Sequence, residues 1–486
     1  MEEYDEINEK IPRSLRRLSR REVLRLMGMG VGGAALLAAC GDPTATTAPA
    51  TTAAATTAAS ATTAAGATTA AGATTAAGAT TAVVNASKAS GKVVVSTRRD
   101  PTGTIKKVLD DFNKLGTGIT VEYQEQEQDS SSQNNKYKVL FAAKDPSIDV
   151  LAMDIPWPPE FGSAGWILPL DKYVTPDVKS QFFEGTIAGA TFKDKLYGLP
   201  WYINVGLLYY RKDILDAAGV KPPDTFEELV DAAAKLQKPD QGLYGFIHHG
   251  FQNEGLSAAW VEILWGFGGE FWDPKTSEVT LTKSDAAEKS LQWWYDNIYT
   301  RKITPDKVTG WKAGDIRGVF NQGNAVFMRD FFDGYQPSQD ATQSKVVGKV
   351  AVKPMVAASG QKGTGCLGNW YMGISSFSKN PDAAWEVVKY LTGAQGSAAR
   401  ALGSGLPPAN KLALQDKALL DKYPSFSILT DVLATAKPRP VTPAYNQISA
   451  DIIQVQVSNA LTKKSTPKDA VQAMADKAGP LLAKFK

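Results

Sequence analysis

The stretch from residue 91 to residue 154 reads GKVVVSTRRDPTGTIKKVLDDFNKLGTGITVEYQEQEQDSSSQNNKYKVLFAAKDPSIDVLAMD, and its apolar pattern decides the fold class. Lys92-Val93-Val94-Val95-Ser96 is a short β-branched run of the kind that forms a buried strand. Between Thr102 and Leu115, the residues Ile105, Val108, Leu109 and Phe112 recur three and four apart and so share one helical face. Ile119 to Tyr123 alternates as a second strand, a second helical segment carries Tyr137 and Leu140, and Ile148 to Met153 is a third apolar strand. The order β-α-β-α-β predicts the parallel sheet of an α/β lobe. Such sheets bind ligands beyond the carboxyl ends of their strands, here around Ser96–Asp100, Gln124–Ser132 and Asp154–Trp157.

Upstream, SRREVLRLMGMGVGGAALLAACGDP (19–43) sets Arg20 and Arg21 before an apolar run, Leu26 to Ala39, of 14 residues. A helix needs ~20 to cross a bilayer, so the run reads as the core of a signal peptide over 1–39. It resembles a twin-arginine export signal ending in a lipobox, which implies lipidation of Cys40. Gly28-Met29-Gly30-Val31-Gly32-Gly33 fits GxGxxG, but no strand precedes it, and the dinucleotide reading fails. Residues 43–86 are dominated by Ala, Thr and Gly, with an ATTAAG period marked by Gly66, Gly72 and Gly78 and no charged residue. So little apolar bulk cannot offset the entropy of ordering, and 40–90 is expected to be a disordered tether.

The rest of the chain exceeds the size at which one core stops growing, which predicts two lobes. Residues 1–39 carry a surplus of one positive charge, so the remainder stands at +2 against +3 for the whole chain. That balance argues against nucleic acid as a partner. Cys366 is the only cysteine besides Cys40, so a mature chain lipidated at Cys40 has no internal disulfide. Two helix starts are legible: Thr225 with Glu228 forms a capping box ahead of Phe226, Leu229, Val230, Ala233 and Leu236, and Asn380-Pro381-Asp382 opens a helix with Trp385, Val388 and Leu391 inward and Gly393 as its stop.

Catalytic chemistry is poorly served. His248 and His249 are the only histidines, adjacent and so pointing apart, no G-x-S-x-G elbow is present, and these residues with one cysteine make no metal set. No metal or cofactor is expected. Aromatic residues beside polar and turn-forming ones say more, because a sugar ring stacks its C–H face on indole or phenol while its hydroxyls seek fixed partners. This mixture occurs at Asp154-Ile-Pro-Trp157, Pro200-Trp201-Tyr202-Ile203-Asn204, Arg329-Asp330-Phe331-Phe332 and Gly368-Asn369-Trp370-Tyr371. Trp166, Trp293, Trp294 and Trp385 read as core, whereas Trp157 and Trp370 sit where Pro, Gly or Asn break regular structure.

The succession DVLAMDIPWPPEFGSAGWILPLDKYV, LYGLPWYINVGLLYYRKDILDAAGVKPPDTFEELVDAAAKL, FNQGNAVFMRDFFDGY, GNWYMGISSFSKNPDAAWEVVKYLTG and RPVTPAYNQIS resembles the family 1 extracellular solute-binding proteins of sugar ABC importers, and within them the trehalose/maltose-binding branch. The resemblance implies a two-lobe periplasmic-binding-protein type II fold with a hinge and a ligand cleft between lobes. It places crossings near Asn204–Leu208, Gly368–Gly373 and Pro438–Pro443, lobe 1 at 91–204 plus 372–437, and lobe 2 at 206–367 plus 441–486. Carried over by motif, Asp154 and Trp157 supply a hydroxyl acceptor and a stacking face, Tyr202 and Asn204 line a crossing, Arg329 and Asp330 reach hydroxyls from lobe 2, Trp370 stacks, and Arg439 adds a donor. Asn369 stands where the family has a second Gly, and Asp330-Phe331 where it has Asn-Trp; Asn369 is expected to narrow the cleft or add a hydrogen bond.

The function this implies is a non-enzymatic, monomeric lipoprotein, anchored through Cys40 outside the cell membrane, that binds a neutral di- or oligosaccharide and delivers it to the permease subunits. Two alternatives stay open: a secreted glycoside hydrolase using two carboxylates such as Asp154 and Asp330, and a receptor for a charged solute paired by Arg329 and Arg439.

Overall fold

The computed structural model describes residues 89–485. The signal peptide, Cys40 and the tether through residue 88 lie outside the described residues. Three parallel strands, β1 (Gly91–Arg98), β2 (Ile119–Gln126) and β3 (Val150–Asp154), alternate with helices α1 (Thr104–Asn113) and α2 (Ser130–Ala142). The helical face expected of α1 is buried through Ile105, Val108, Leu109 and Phe112. Its start is fixed by Asp100, whose carboxylate accepts from the Thr102 hydroxyl at 2.6 Å and the Ile105 N–H at 2.7 Å. Short α3 (Trp157–Ser163) follows β3, and β4 (Leu199–Tyr202) is an edge strand.

A second sheet is built from β5 (Gly206–Arg211), β6 (Tyr244–Ile247), β7 (Ala325–Phe331) and β8 (Val350–Lys353), in the order β8-β5-β7-β6. Around it lie α4 (Phe226–Leu236), α5 (Glu254–Gly266), α6 (Ala286–Tyr299) and α7 (Ala313–Asn321). The Thr225/Glu228 capping box of α4 is formed. β9 (Trp370–Ile374) then returns to the first sheet, antiparallel to β3 and β4, giving the order β2-β1-β3-β9-β4. Helix α8 (Pro381–Thr392) covers that sheet, α9 (Ala394–Ser404) packs against α8 and α1, and α10 (Gln454–Leu461) and α11 (Pro467–Ala483) pack with the helices of the second. One apolar cluster includes Val93, Leu151, Met372 and Val388; another includes Leu229, Trp260, Leu264, Val457 and Met474.

The chain therefore makes two α/β lobes, and the segments passing between them are hydrogen-bonded to one another. Gly206 N–H donates to the Cys366 carbonyl at 3.0 Å, Gly368 N–H to that of Asn204 at 2.8 Å, and Leu367 N–H to that of Lys437 at 2.8 Å. Trp370 and Tyr371, expected in the passage, are already strand residues paired with Asp154 and Met153. Beneath the passage lies a buried ion pair. Arg329 donates through Nε and Nη2 to Glu262 at 2.6 and 2.7 Å, and Glu262 also accepts from the Cys366 N–H at 2.7 Å. Only glycine fits above it: a Cβ on Gly206 would stand 1.7 Å from Glu262 Oε1.

Candidate functional site

The register of the first sheet sets three of the expected residues in one row, since Trp370 pairs with Asp154 on one side and with Tyr202 on the other. This row lies at the carboxyl end of β3, where the topology places a ligand. A cavity of about 470 Å³ opens there. From the first lobe it is lined by Arg98, Gln128, Asp129, Ser130, Asp154 and Trp370, and from the passage by Asn204, Gly368 and Arg439. The second lobe adds His249, Asn253, Glu254, Lys312, Arg317, Phe331 and Asp333. Four carboxylates thus face four lysine and arginine side chains, a cleft without net charge.

Arg439 ties the cleft together. Its Nη2 donates to Asp154 at 2.5 Å and its Nη1 to Glu254 at 2.8 Å, and the side chain is buried. Burial alone would lower this guanidinium's pKa, but the two carboxylates outweigh it and hold the charge. Glu254 opens α5, where a carboxylate is favoured by the helix dipole, and it also accepts from the Tyr445 hydroxyl at 2.8 Å and Ser449 Oγ at 2.5 Å. Ser449 begins a π-helical turn, Ser449–Ile453, that leads into α10. Asp154 further accepts from Ser130 Oγ at 2.8 Å. The Trp370 ring has Tyr202 stacked at 6.2 Å, Trp157 against it edge-on at 5.5 Å, and the Arg98 guanidinium over it at 5.0 Å.

Asp154, Asn204, Trp370 and Arg439 thus meet at one cavity. The other expected residues are placed differently. Trp157 is buried among Tyr137, Phe161 and Trp370 and borders a second cavity, of about 540 Å³, that shares Ser130 and Glu254 with the first. Tyr202 borders a side arm described below. Asn369 is buried, and its Oδ1 accepts from the Asn204 N–H at 3.1 Å, so its amide fixes the passage instead of facing the cavity. Arg329 is held by Glu262 and does not reach the cleft. Neighbours on a strand point to opposite faces, and Asp330 meets Arg317 at 2.5 Å and His249 at 3.0 Å on the other side. Burial would raise the Asp330 carboxyl, but Arg317 and then His249 outweigh it and hold it well below the usual carboxylate range. Both carboxylates of the hydrolase alternative are therefore committed to guanidinium groups, and Arg329 and Arg439, the residues suggested for a charged solute, are each already paired. Among the described residues no group of three or more His, Cys, Asp or Glu could hold a metal ion.

Of the lining residues that sequence reasoning missed, Arg98 and Gln128 to Ser130 fall inside the strand-end segments it marked, whereas His249, Glu254, Lys312 and Asp333 do not. The histidines diverge as adjacency requires. His248 stacks on Trp294 at 4.5 Å, and burial pushes its ring down to about 4. Above pH ~6.5 the ring is neutral in folded and unfolded chains alike; between 6.5 and about 4 only the unfolded chain takes up the proton. Stability is therefore expected to fall by ~3 kcal/mol across that window from this group. Urea unfolding at pH 7 and pH 4.5 measures it, and a His248→Gln variant with an undiminished pH slope counts against the assignment.

Two α/β lobes with a polar, aromatic-floored cleft between them define a binding protein of the periplasmic type. The chain belongs to the bacterial extracellular solute-binding proteins, whose family pattern it matches over residues 96–398. A probable ABC transporter-binding protein of Deinococcus radiodurans is 32% identical over 377 residues, covering 76% of this chain and 88% of the relative. The maltose-bound T. maritima MalE3 structure is 32% identical with a TM-score of 0.75, covering 80% of this chain and 99% of that one. A solute-binding protein of Thermotoga lettingae, solved with α-D-tagatose, shares the fold at 24% identity and a TM-score of 0.73, covering 81% and 100%. None of the helices among the described residues is long and apolar enough to cross a membrane.

Proposed function

We propose that this chain is a non-enzymatic receptor that clasps a neutral di- or oligosaccharide of the maltose or trehalose kind between its lobes and hands it to an ABC permease. The observation that carries this is the cleft itself, a charge-balanced set of hydroxyl partners around the Trp370 ring. Carboxylates such as Asp154 and Glu254 and the amide of Asn204 recognise hydroxyls, Arg439 orients both carboxylates, and the indole takes the C–H face of a sugar. Arg98 rests over that ring, so a stacking sugar would exchange places with its guanidinium. The similarity to the maltose-bound MalE3 supports the sugar class. The export signal and lipobox resemblance supports a lipid-anchored, extracytoplasmic location.

Calorimetric titration of the purified protein with maltose, trehalose, sucrose and maltodextrins tests this reading. One-to-one binding with the sugar recovered unchanged is expected; release of free glucose favours the hydrolase, and silence across the panel rejects the neutral-sugar reading. Trp370→Ala is expected to weaken binding by at least about fivefold, the loss of one stacking contact of roughly 1 kcal/mol. Trp157→Ala, in contrast, should act chiefly on stability.

A further inference from the structure

The cleft continues past Arg98, Arg317 and Asp333 into an arm of about 200 Å³ with a different electrostatic character. Four arginines line the arm, Arg98, Arg99, Arg317 and Arg400, against two carboxylates, Asp100 and Asp333. Several of these charges are already used: Arg317 is paired with Asp330 and Asp333, Arg99 lies 3.9 Å from Glu125, and Asp100 caps α1. Arg400, on α9, is different. It is 3% exposed and lies over Tyr202 at 4.1 Å and Trp201 at 4.3 Å, and neither its Nε nor its Nη1 has a hydrogen-bond partner. Among the described residues it makes no ion pair within 4 Å, and its burial lowers the guanidinium to about 10, still cationic at neutral pH. A buried charge without a partner is costly, and a guanidinium fork fits the two oxygens of a carboxylate or phosphate. Against ~30 Å³ for a water, the arm has room for such a group and part of the ring that bears it.

We propose that this arm is an oxyanion subsite in which Arg400, with Arg98, receives a carboxylate or phosphate, borne by the saccharide in the main cleft or entering as a free ion. The ligand-borne form rests on the saccharide reading of the main cleft and replaces its neutral sugar with an anionic one; the free-ion form leaves the sugar neutral and does not depend on that reading.

Titrations at 50 mM and 500 mM salt should compare maltose with maltobionate and trehalose with trehalose 6-phosphate, with inorganic phosphate alone as a melting-temperature probe. At 50 mM salt at least one anionic sugar is expected to bind ten or more times tighter than its neutral parent, with the advantage shrinking at 500 mM. In Arg400→Gln the advantage should vanish while neutral-sugar affinity stays within about twofold, and Arg400→Lys should restore part of it. A rise in melting temperature with phosphate alone identifies the free ion as occupant. If neither anionic sugar outbinds its parent and phosphate leaves the melting temperature unchanged, the subsite is wrong, whether or not Arg400→Gln folds. An anion advantage that survives in a folded Arg400→Gln also overturns it. Neutral sugars failing while phosphate binds would sink the saccharide reading and leave the subsite standing.

Discussion

Arg439→Met is expected to cost the folded state roughly 3 kcal/mol and to abolish sugar binding, because it leaves the buried Asp154 and the half-buried Glu254 carboxylates without their shared cation. The side chain spans both lobes, reaching Asp154 at the end of β3 and Glu254 at the start of α5. Removing it deprives each of a charge-assisted bond at the floor of the cleft, where water replaces it only in part. Lysine does not repair this, since a single ammonium lacks the fork that serves two acceptors. Urea unfolding of wild type, Arg439→Met and Arg439→Lys measures the stability term, and calorimetry the binding term. A loss under about 1 kcal/mol in Arg439→Met would show that the two carboxylates are reached by solvent and that the bridge is incidental.

The second large effect belongs to Arg329 and Glu262. Breaking this pair from either side, by Arg329→Met or Glu262→Met, is expected to cost about 3–5 kcal/mol, since the remaining charge has no water to turn to. The double variant should be less destabilised than either single one, because two apolar side chains of similar length replace the pair without stranding a charge. It should still fall short of wild type, as the Cys366 N–H loses its acceptor, a penalty of about 1–3 kcal/mol. Urea curves for the four proteins give the coupling energy directly. Additive losses would mean that the two groups do not sense one another.

The fold was legible where periodicity was strong. The β-α-β-α-β opening could be read because Ile105, Val108, Leu109 and Phe112 obey the helical period and the valines of β1 do not. The strand-end rule then reached Arg98 and Gln128 to Ser130 without any knowledge of side-chain contacts. Arg329 and Asp330 were legible as polar residues in an apolar strand but not in their roles. Their partners Glu262 and Arg317 lie 67 and 13 residues away, and only the packing of α5 and α7 on β7 reveals that both charges are already answered. Glu254 was equally hidden. In sequence it is an ordinary first-turn acid after an Asn cap, and its meeting with Arg439, 185 residues later, is set by the way the chain passes between lobes.

Cys366 stands in that passage with its thiol wholly buried, and burial pushes it up to about 12. While the interlobe strands stay zipped, such a sulfur is closed to an alkylating reagent and too protonated to attack it. With Cys40 changed to serine, labelling of Cys366 therefore counts the moments when the strands separate, making the sulfur a built-in clock for how often the two halves come unlatched, with and without cargo.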